Sequence, residues 1–303
     1  MIEGIRNILP EKVVKCLEIF NFNDIYEIRM RRNAPIVVNV RGRNVKLRGQ
    51  DSLIFVDNNL IDYVLKRATE YSIYAYNNQI RQGFITAKGG IRIGVAGESV
   101  SSDSFLPTTI KNIYSINIRI PHQVNDCARN IFKFIYTKEK GVKNTLIISA
   151  PGAGKTTYLR DISRLLSDNC NPIMNCLVVD ERFEIASVVN GEPMLDVGYF
   201  TDIVSGSNKQ YAFTNGIRSL RPDVILTDEL VGVQDYEACK VAIRSGVKVI
   251  ATIHSNDIVE LRQKEEIKSL LGGAYFERYV VLSSENVGEC VAVYDQNFEC
   301  IYF

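Results

Sequence analysis

One stretch of the sequence, residues 145–157, restricts the possible folds more than any other. It begins with the mostly apolar run Thr-Leu-Ile-Ile-Ser and continues through Ala-Pro into Gly-Ala-Gly-Lys-Thr-Thr. A strand that runs through such a loop into a helix places successive backbone N–H groups around an anion, because glycine lets the backbone approach without a Cβ. The predicted helix, residues 156–166, would add its free N–H groups and its dipole. The stretch therefore predicts a phosphate-binding loop in an α/β domain.

The residue types in this loop indicate ATP and Mg²⁺ as cofactors. We expect Lys155 to reach the β- and γ-phosphates and the Thr156 hydroxyl to be a Mg²⁺ ligand. The pattern G-x-x-x-x-G-K-[ST] is broken at one position, because Ser149 stands where its first glycine would be. A strand–turn–helix connection with a surface lysine is the alternative interpretation. The predicted nucleotide-binding residues are Pro151, Gly152, Ala153, Gly154, Lys155, Thr156 and Thr157.

A pair of acids, Asp228 and Glu229, directly follows the apolar residues 224–226 and Thr227. If this run is a strand of the same parallel sheet, its carboxyl end lies at the same edge as the phosphate loop. There Asp228 can hold Mg²⁺ and Glu229 can orient the attacking water. The pair therefore predicts the catalytic side of a nucleotide hydrolase, whereas the alternative is a strand that ends in solvated acids.

Two other strand ends carry candidate catalytic residues. The apolar residues 177–179 are followed by Asp180, Glu181 and Glu184, any of which could supply the general base instead of Glu229. Arg182 in the same segment could face a phosphate or a neighbouring subunit. His254 follows the apolar strand 247–251, where a neutral imidazole could sense the γ-phosphate, although a structural histidine is the alternative. The candidate catalytic residues are thus Glu229, Glu181 and His254, and the choice of general base among the three glutamates stays open.

The two halves of the chain differ in pattern. The first mixes helical stretches with short strands that glycines separate, whereas in the second apolar runs alternate with helical stretches, as in βαβ units. We expect a smaller α+β N-terminal domain at 1–125, a polar connection at 126–144 and an α/β P-loop NTPase domain with a mostly parallel sheet at 145–303.

Charge and composition make some partners improbable. The sequence has 36 basic and 35 acidic side chains, so it has no overall attraction for nucleic acid. Within a local basic cluster, Arg29 and Arg31 alternate with Ile28 and Met30, as on the solvent face of a strand. No apolar run approaches the roughly 18 residues of a membrane span, and the seven cysteines have no ligand spacing. We therefore expect a reduced, cytoplasmic protein without a transmembrane segment, and a nucleic-acid-directed motor is the weaker alternative.

The order of these motifs resembles that of the hexameric ATPases of type II, type IV pilus and type IV secretion systems: phosphate loop, acidic box, strand-borne Asp-Glu and a histidine box. The sequence more closely resembles the family of stage III sporulation AA proteins, through residues 81–86, 144–161, 178–182, 217–219 and 279–282. In two places, Phe200 and the polar residues 206–211, it departs from what that family leads us to expect.

The resemblance implies a RecA-like ATPase that forms a homo-oligomeric ring. It implies membrane protein partners in the channel complex between mother cell and forespore, with the protein peripheral to the membrane in the mother cell. Glu229 would be the Walker B acid, Glu181 the acidic-box residue and His254 the histidine of the histidine box. An ATP-binding scaffold with little hydrolysis is an alternative from another functional class.

Overall fold

The computed structural model describes residues 2–100 and 109–302, which divide into two compact units. The first, here called the N-terminal unit, consists of Met1–His122 together with Ser187–Met194. The second, the C-terminal unit, consists of Gln123–Ala186 and Leu195–Phe303.

The N-terminal unit contains a six-stranded antiparallel sheet of order β3-β2-β1-β6-β5-β4. Its strands are β1 (Ile25–Arg31), β2 (Val37–Val40), β3 (Arg43–Lys46), β4 (Phe84–Ala87), β5 (Ile91–Val100) and β6 (Thr109–Arg119). Its helices are α1 (Ile2–Ile8), α2 (Glu11–Leu17), α3 (Asn58–Ala68) and α4 (Asn77–Arg81). Along β1, Ile28 and Met30 are fully buried, whereas Arg29 and Arg31 lie on the opposite, more exposed face, as a period of two requires.

The C-terminal unit contains an eight-stranded sheet of order β11-β10-β12-β13-β9-β14-β15-β16. Its strands are β9 (Thr145–Ser149), β10 (Cys176–Asp180), β11 (Thr201–Ser205), β12 (Val224–Thr227), β13 (Lys248–His254), β14 (Arg278–Leu282), β15 (Cys290–Asp295) and β16 (Cys300–Tyr302). The first six strands in the order pair in parallel and the last two pair antiparallel. The predicted α/β fold with a mostly parallel sheet is therefore confirmed.

The helices of the C-terminal unit are α5 (Arg129–Ile135), α6 (Lys155–Asn169), α7 (Lys209–Ser219), α8 (Val233–Arg244), α9 (Ile258–Gln263) and α10 (Lys268–Leu271). Every residue of strands β9, β10 and β12 is buried, as expected for parallel strands covered on both faces. Because parallel strands share their direction, the carboxyl ends of β9, β10, β12 and β13 lie at one edge of the sheet. The predicted site residues all follow or end these four strands.

The segment 126–144, expected to be a polar connection, instead contains α5 and the short antiparallel pair β7 (Tyr136–Thr137) and β8 (Gly141–Val142). Ala128, Ile131 and Ile135 are fully buried, and the buried carboxylate of Asp161 on α6 accepts hydrogen bonds from the N–H groups of Asp126 (3.0 Å) and Ala128 (2.9 Å). These contacts make the segment an integral part of the C-terminal unit. Among the helices in the described part of the chain, none is long and apolar enough to cross a bilayer.

Candidate functional site

The loop between β9 and α6 has the backbone that phosphate binding requires. Gly152 and Gly154 have φ values of 80° and 99°, in the left-handed region that favours glycine. Gly154 is the N-cap of α6, and no side chain caps the helix there. The first N–H groups of a helix have no partner within it, so they can bind an anion. The backbone of this loop therefore fits a phosphate.

Lys155 is buried, with 6% of its surface exposed, and folds back over its own loop. Its Nζ donates hydrogen bonds to the carbonyl oxygens of Ser149 (2.8 Å) and Ala150 (2.9 Å) and lies 3.1 Å from Ser149 Oγ. Burial lowers the pKa of Lys155, while the nearby carboxylates of Asp228 and Glu229 act in the opposite direction. Ser149, the departure from the usual loop pattern, thus contributes a hydroxyl group beside the lysine.

The imidazole of His254 lies beside the same ammonium group, because its Nδ1 is 2.9 Å from Lys155 Nζ. An ammonium group can only donate, so Nδ1 accepts and the ring proton of a neutral His254 is on Nε2. Nε2 lies 3.4 Å from Oε1 of Glu229. His254 therefore connects the lysine of the phosphate loop to the acid that follows β12.

Asp228 is bonded to the phosphate loop directly. Its Oδ2 accepts a hydrogen bond from Thr156 Oγ1 (2.6 Å), and its Oδ1 accepts one from Thr252 Oγ1. Within residues 2–100 and 109–302, no group of three or more His, Cys, Asp or Glu side chains is arranged to hold a metal ion. A hydroxyl and one carboxylate nevertheless fit Mg²⁺, which completes its shell with water and substrate phosphates. Thr156 and Asp228 are thus the residues that could hold Mg²⁺ beside a bound nucleotide.

Glu229 is held at both its backbone and its side chain. Its φ is 45°, an uncommon value for a residue other than glycine, and its N–H donates to Thr252 Oγ1 at 2.7 Å. Its Oε2 forms an ion pair with Arg182 Nη1, while its Oε1 faces His254. The structure therefore brings Glu229, His254, Lys155 and Thr156 together at one edge of the sheet.

The acidic segment after β10 is built differently. The carboxylate of Asp180, which is 1% exposed, accepts hydrogen bonds from the N–H groups of Glu184 (2.7 Å), Ile185 (3.1 Å) and Ala186 (2.9 Å). Glu181 Oε2 accepts a hydrogen bond from Lys209 Nζ (2.8 Å). Glu181, Glu184 and Arg182 line a small cleft together with Asp228 and Glu229. The candidates from the two strand ends thus share one cleft, although Glu181 is paired with α7.

Two residues with a part in this arrangement, Arg160 and Lys209, were not predicted from the sequence. Arg160 on α6 donates from Nε to the carbonyl of Ile185 (2.6 Å) and from Nη2 to that of Glu184 (2.8 Å). Only Lys209 carries a local signal, because a cation in the first turn of a helix is unfavourable unless an acid faces it. Lys209 Nζ is 3.3 Å from Asp235 Oδ2 in addition to its bond with Glu181.

Solved structures of known proteins share the fold of this chain. Among solved structures, the X-ray structure of the ATPase DotB from Legionella pneumophila matches with a TM-score of 0.58 and 13% identity, over 96% of this chain and 82% of that one. The crystal structure of the pilus retraction motor PilT with bound ADP matches with a TM-score of 0.58 and 13% identity, over 88% of this chain and 75% of that one. At these identities the likeness establishes the fold, which is that of the RecA-like secretion ATPases.

The sequence comparisons are more specific. The chain is 32% identical over 300 residues to stage III sporulation protein AA of Bacillus subtilis, covering 97% of this chain and 95% of that protein. The family model described as sporulation stage III, protein AA, matches residues 2–301. The resemblance predicted from the motifs is confirmed, and the chain belongs to the family of sporulation stage III AA proteins.

Proposed function

We propose that this protein binds ATP at the loop between β9 and α6 and hydrolyses it with Mg²⁺. The observation that carries the proposal is the hydrogen bond of 2.6 Å between Thr156 and Asp228, which joins the phosphate loop to the acid after β12. This contact places a hydroxyl and a carboxylate beside the buried Lys155 and next to Glu229. Cationic, metal-binding and water-orienting groups converge in this way in enzymes that transfer phosphoryl groups.

Each residue has a defined part in the proposed reaction. The N–H groups at the start of α6 bind the phosphates, and Lys155 exchanges the carbonyl oxygens of Ser149 and Ala150 for phosphate oxygens. Thr156 and Asp228 hold Mg²⁺, which when bound neutralises charge that develops on the phosphates. Glu229 orients the attacking water and accepts its proton. Glu229 lies beside His254, which contacts Lys155 of the phosphate loop, whereas Glu181 pairs with Lys209 on α7, so we assign the general base to Glu229.

We further propose that hydrolysis drives a motor of the secretion-ATPase kind. The similar proteins include a sporulation protein, an ATPase and a pilus retraction motor. By analogy, this chain would form a homo-oligomeric ring in the cytoplasm of the mother cell, peripheral to the membrane through membrane proteins of a sporulation channel complex. Energy from ATP would reach that complex as movement between domains.

Replacement of the lysine tests nucleotide binding. Lys155→Ala should weaken binding of a fluorescent ATP analogue about 100-fold, or ~3 kcal/mol, because the charged hydrogen bond to phosphate is lost. Lys138→Ala, which removes an exposed lysine of the same unit, serves as the matched control and should bind like the original protein. Retained affinity in Lys155→Ala would contradict the proposed phosphate site.

The same preparations test the remaining parts of the proposal. Phosphate release from ATP is measured on them, and binding without release would leave a nucleotide-binding scaffold. Light scattering with and without the analogue reports the oligomer, and a monomer under both conditions would contradict the ring.

A further inference from the structure

Four side chains form a continuous chain of contacts at the site. Lys155 contacts His254, His254 contacts Glu229, and Glu229 forms an ion pair with Arg182. The two oxygens of the Glu229 carboxylate therefore have different neighbours: Oε1 lies 3.4 Å from the imidazole Nε2, and Oε2 forms the ion pair with the guanidinium. The proposed hydrolysis alone gives Arg182 no part.

The segment that presents Arg182 is fixed at many points. Asp180 binds the three N–H groups of residues 184–186, and Arg160 binds two carbonyl groups of the same turn. The N–H of Gly206 also donates to the carbonyl of Asp180 (3.1 Å). Buried polar networks that are satisfied in this way hold one backbone conformation. The backbone on both sides of Arg182 is therefore held in one conformation.

Stability does not explain the ion pair of Arg182 with Glu229. The Arg182 side chain is 54% exposed and that of Glu229 is 24% exposed. Water screens charges at such positions, so pairs of this kind contribute little to the free energy of unfolding. The fixed backbone thus positions Arg182, whose ion pair contributes little to folding but is made with Glu229, the proposed general base.

A glutamate needs such a contact in order to act at a defined place. The backbone of Glu229 is fixed by Thr252, but three rotatable bonds separate its carboxylate from the backbone. We propose that Arg182 is a positioning residue: it holds Oε2 of Glu229 so that the carboxylate stays on the side of His254 and the phosphate loop instead of turning toward solvent. This inference rests on the proposed hydrolysis and adds to it a residue that acts through the general base.

The test compares Arg182→Gln and Arg182→Lys with Arg129→Gln, which removes an exposed arginine of α5. Steady-state phosphate release gives kcat, and titration with the ATP analogue gives the affinity. Because a loosely held base is seldom in place, Arg182→Gln should lower kcat about tenfold while the affinity changes less than about threefold. Arg182→Lys should recover part of the loss, and Arg129→Gln should behave like the original protein.

Combination with Glu229→Gln separates positioning from a general structural role. If Arg182 acts through Glu229, Arg182→Gln should cause no further loss of residual turnover in the Glu229→Gln background. An equal loss in both backgrounds would overturn the inference. Unchanged or faster turnover in Arg182→Gln alone would also overturn it, and faster turnover would mean that the ion pair restrains the acid. Absence of phosphate release from the original protein, with ATP binding intact, would instead reject the proposed hydrolysis and this role with it.

Discussion

Two neighbouring strands of the parallel sheet, β10 and β12, lead into the same dipeptide, Asp-Glu, yet the two ends differ in construction. Asp180 directs its buried carboxylate to three N–H groups of its own chain. Asp228 accepts hydrogen bonds from two threonine hydroxyls, one of which belongs to the phosphate loop. The glutamates differ as well, since Glu181 pairs with Lys209 and Glu229 contacts Arg182 and His254.

The backbone takes a different path after each of the two acid pairs. After β10 the chain turns back through Phe183, whose φ is 57°, and so brings the N–H groups of residues 184–186 to Asp180. After β12 the N–H of Leu230 donates to the carbonyl of Thr252 (2.8 Å), so the chain stays beside β13 and Asp228 keeps its oxygens for hydroxyl groups. The same two residues thus stabilise a loop at one strand end and face the phosphate site at the other.

The sharpest test of this comparison replaces one glutamate at each strand end. Glu229→Gln should lower the rate of phosphate release about 1,000-fold, because the general base is lost, and leave binding of the ATP analogue intact. Glu181→Gln should change the rate less than about threefold. If Glu181→Gln stalls hydrolysis as strongly, both strand ends take part in the reaction and the proposed difference between them is wrong.

The two aspartates should differ in stability. Asp180→Asn should lower the free energy of unfolding by about 3 kcal/mol, because an amide cannot satisfy three buried N–H groups as a carboxylate does. Asp228→Asn should cost about 1 kcal/mol or less, because its partners are hydroxyl groups that can rotate to an amide oxygen. Urea unfolding of both variants measures the difference, and equal losses would show that Asp180 has no special structural role.

The smallest expected effect concerns the charge of Lys155, which lies near the two acids that follow β12. Because burial lowers the pKa of Lys155 below its ordinary value of 10.5, the lysine loses its proton at a lower pH than an exposed lysine. ATP requires the charged form, so affinity should fall by at most about tenfold per pH unit above this lowered pKa, and binding should take up a proton. Calorimetry in two buffers of different ionisation enthalpy measures that uptake, and a pH-independent affinity up to pH 10.5 would contradict the prediction.

Through this lysine, the free energy of unfolding should change with pH in the direction opposite to that of ATP affinity. The unfolded chain binds more protons than the folded chain between the lowered pKa and 10.5. The contribution of Lys155 to the free energy of unfolding therefore rises with pH in that window.

Much of the C-terminal unit could be predicted because its signals are local. The strand–loop–helix of residues 145–157 and the acids after β12 are contiguous in sequence, and the structure shows the expected elements there. Strand β11 was not predicted, because its residues 201–205 lie at the sheet edge, are mostly half-buried and form no apolar run. Phe200, which departs from the family pattern, directly precedes this strand and is half exposed, and its N–H donates to Ser167 Oγ (2.6 Å).

The construction of the site could be predicted only in part. The contact of Arg160 with residues 184 and 185 spans 24 and 25 positions of sequence and depends on a turn that no local pattern specifies. The identical pairs 180–181 and 228–229 could not be told apart either, because their roles depend on Thr156 and Thr252 at one end and on the returning backbone at the other. The residue types indicated which chemistry the site could perform, whereas tertiary contacts determine which of the acids faces the phosphate loop.

The eight residues Ser187–Met194 lie between β10 and β11 in sequence but belong to the N-terminal unit. The backbone consequently passes between the units at three places, after His122, Ala186 and Met194. Both units are discontinuous in sequence, so no single cut of the chain separates them. A fragment that ends at His122 lacks residues 187–194 of the N-terminal unit. The crossing at Ala186 comes directly after the turn bound by Asp180, so the backbone leaves the C-terminal unit for the N-terminal unit four residues after Arg182.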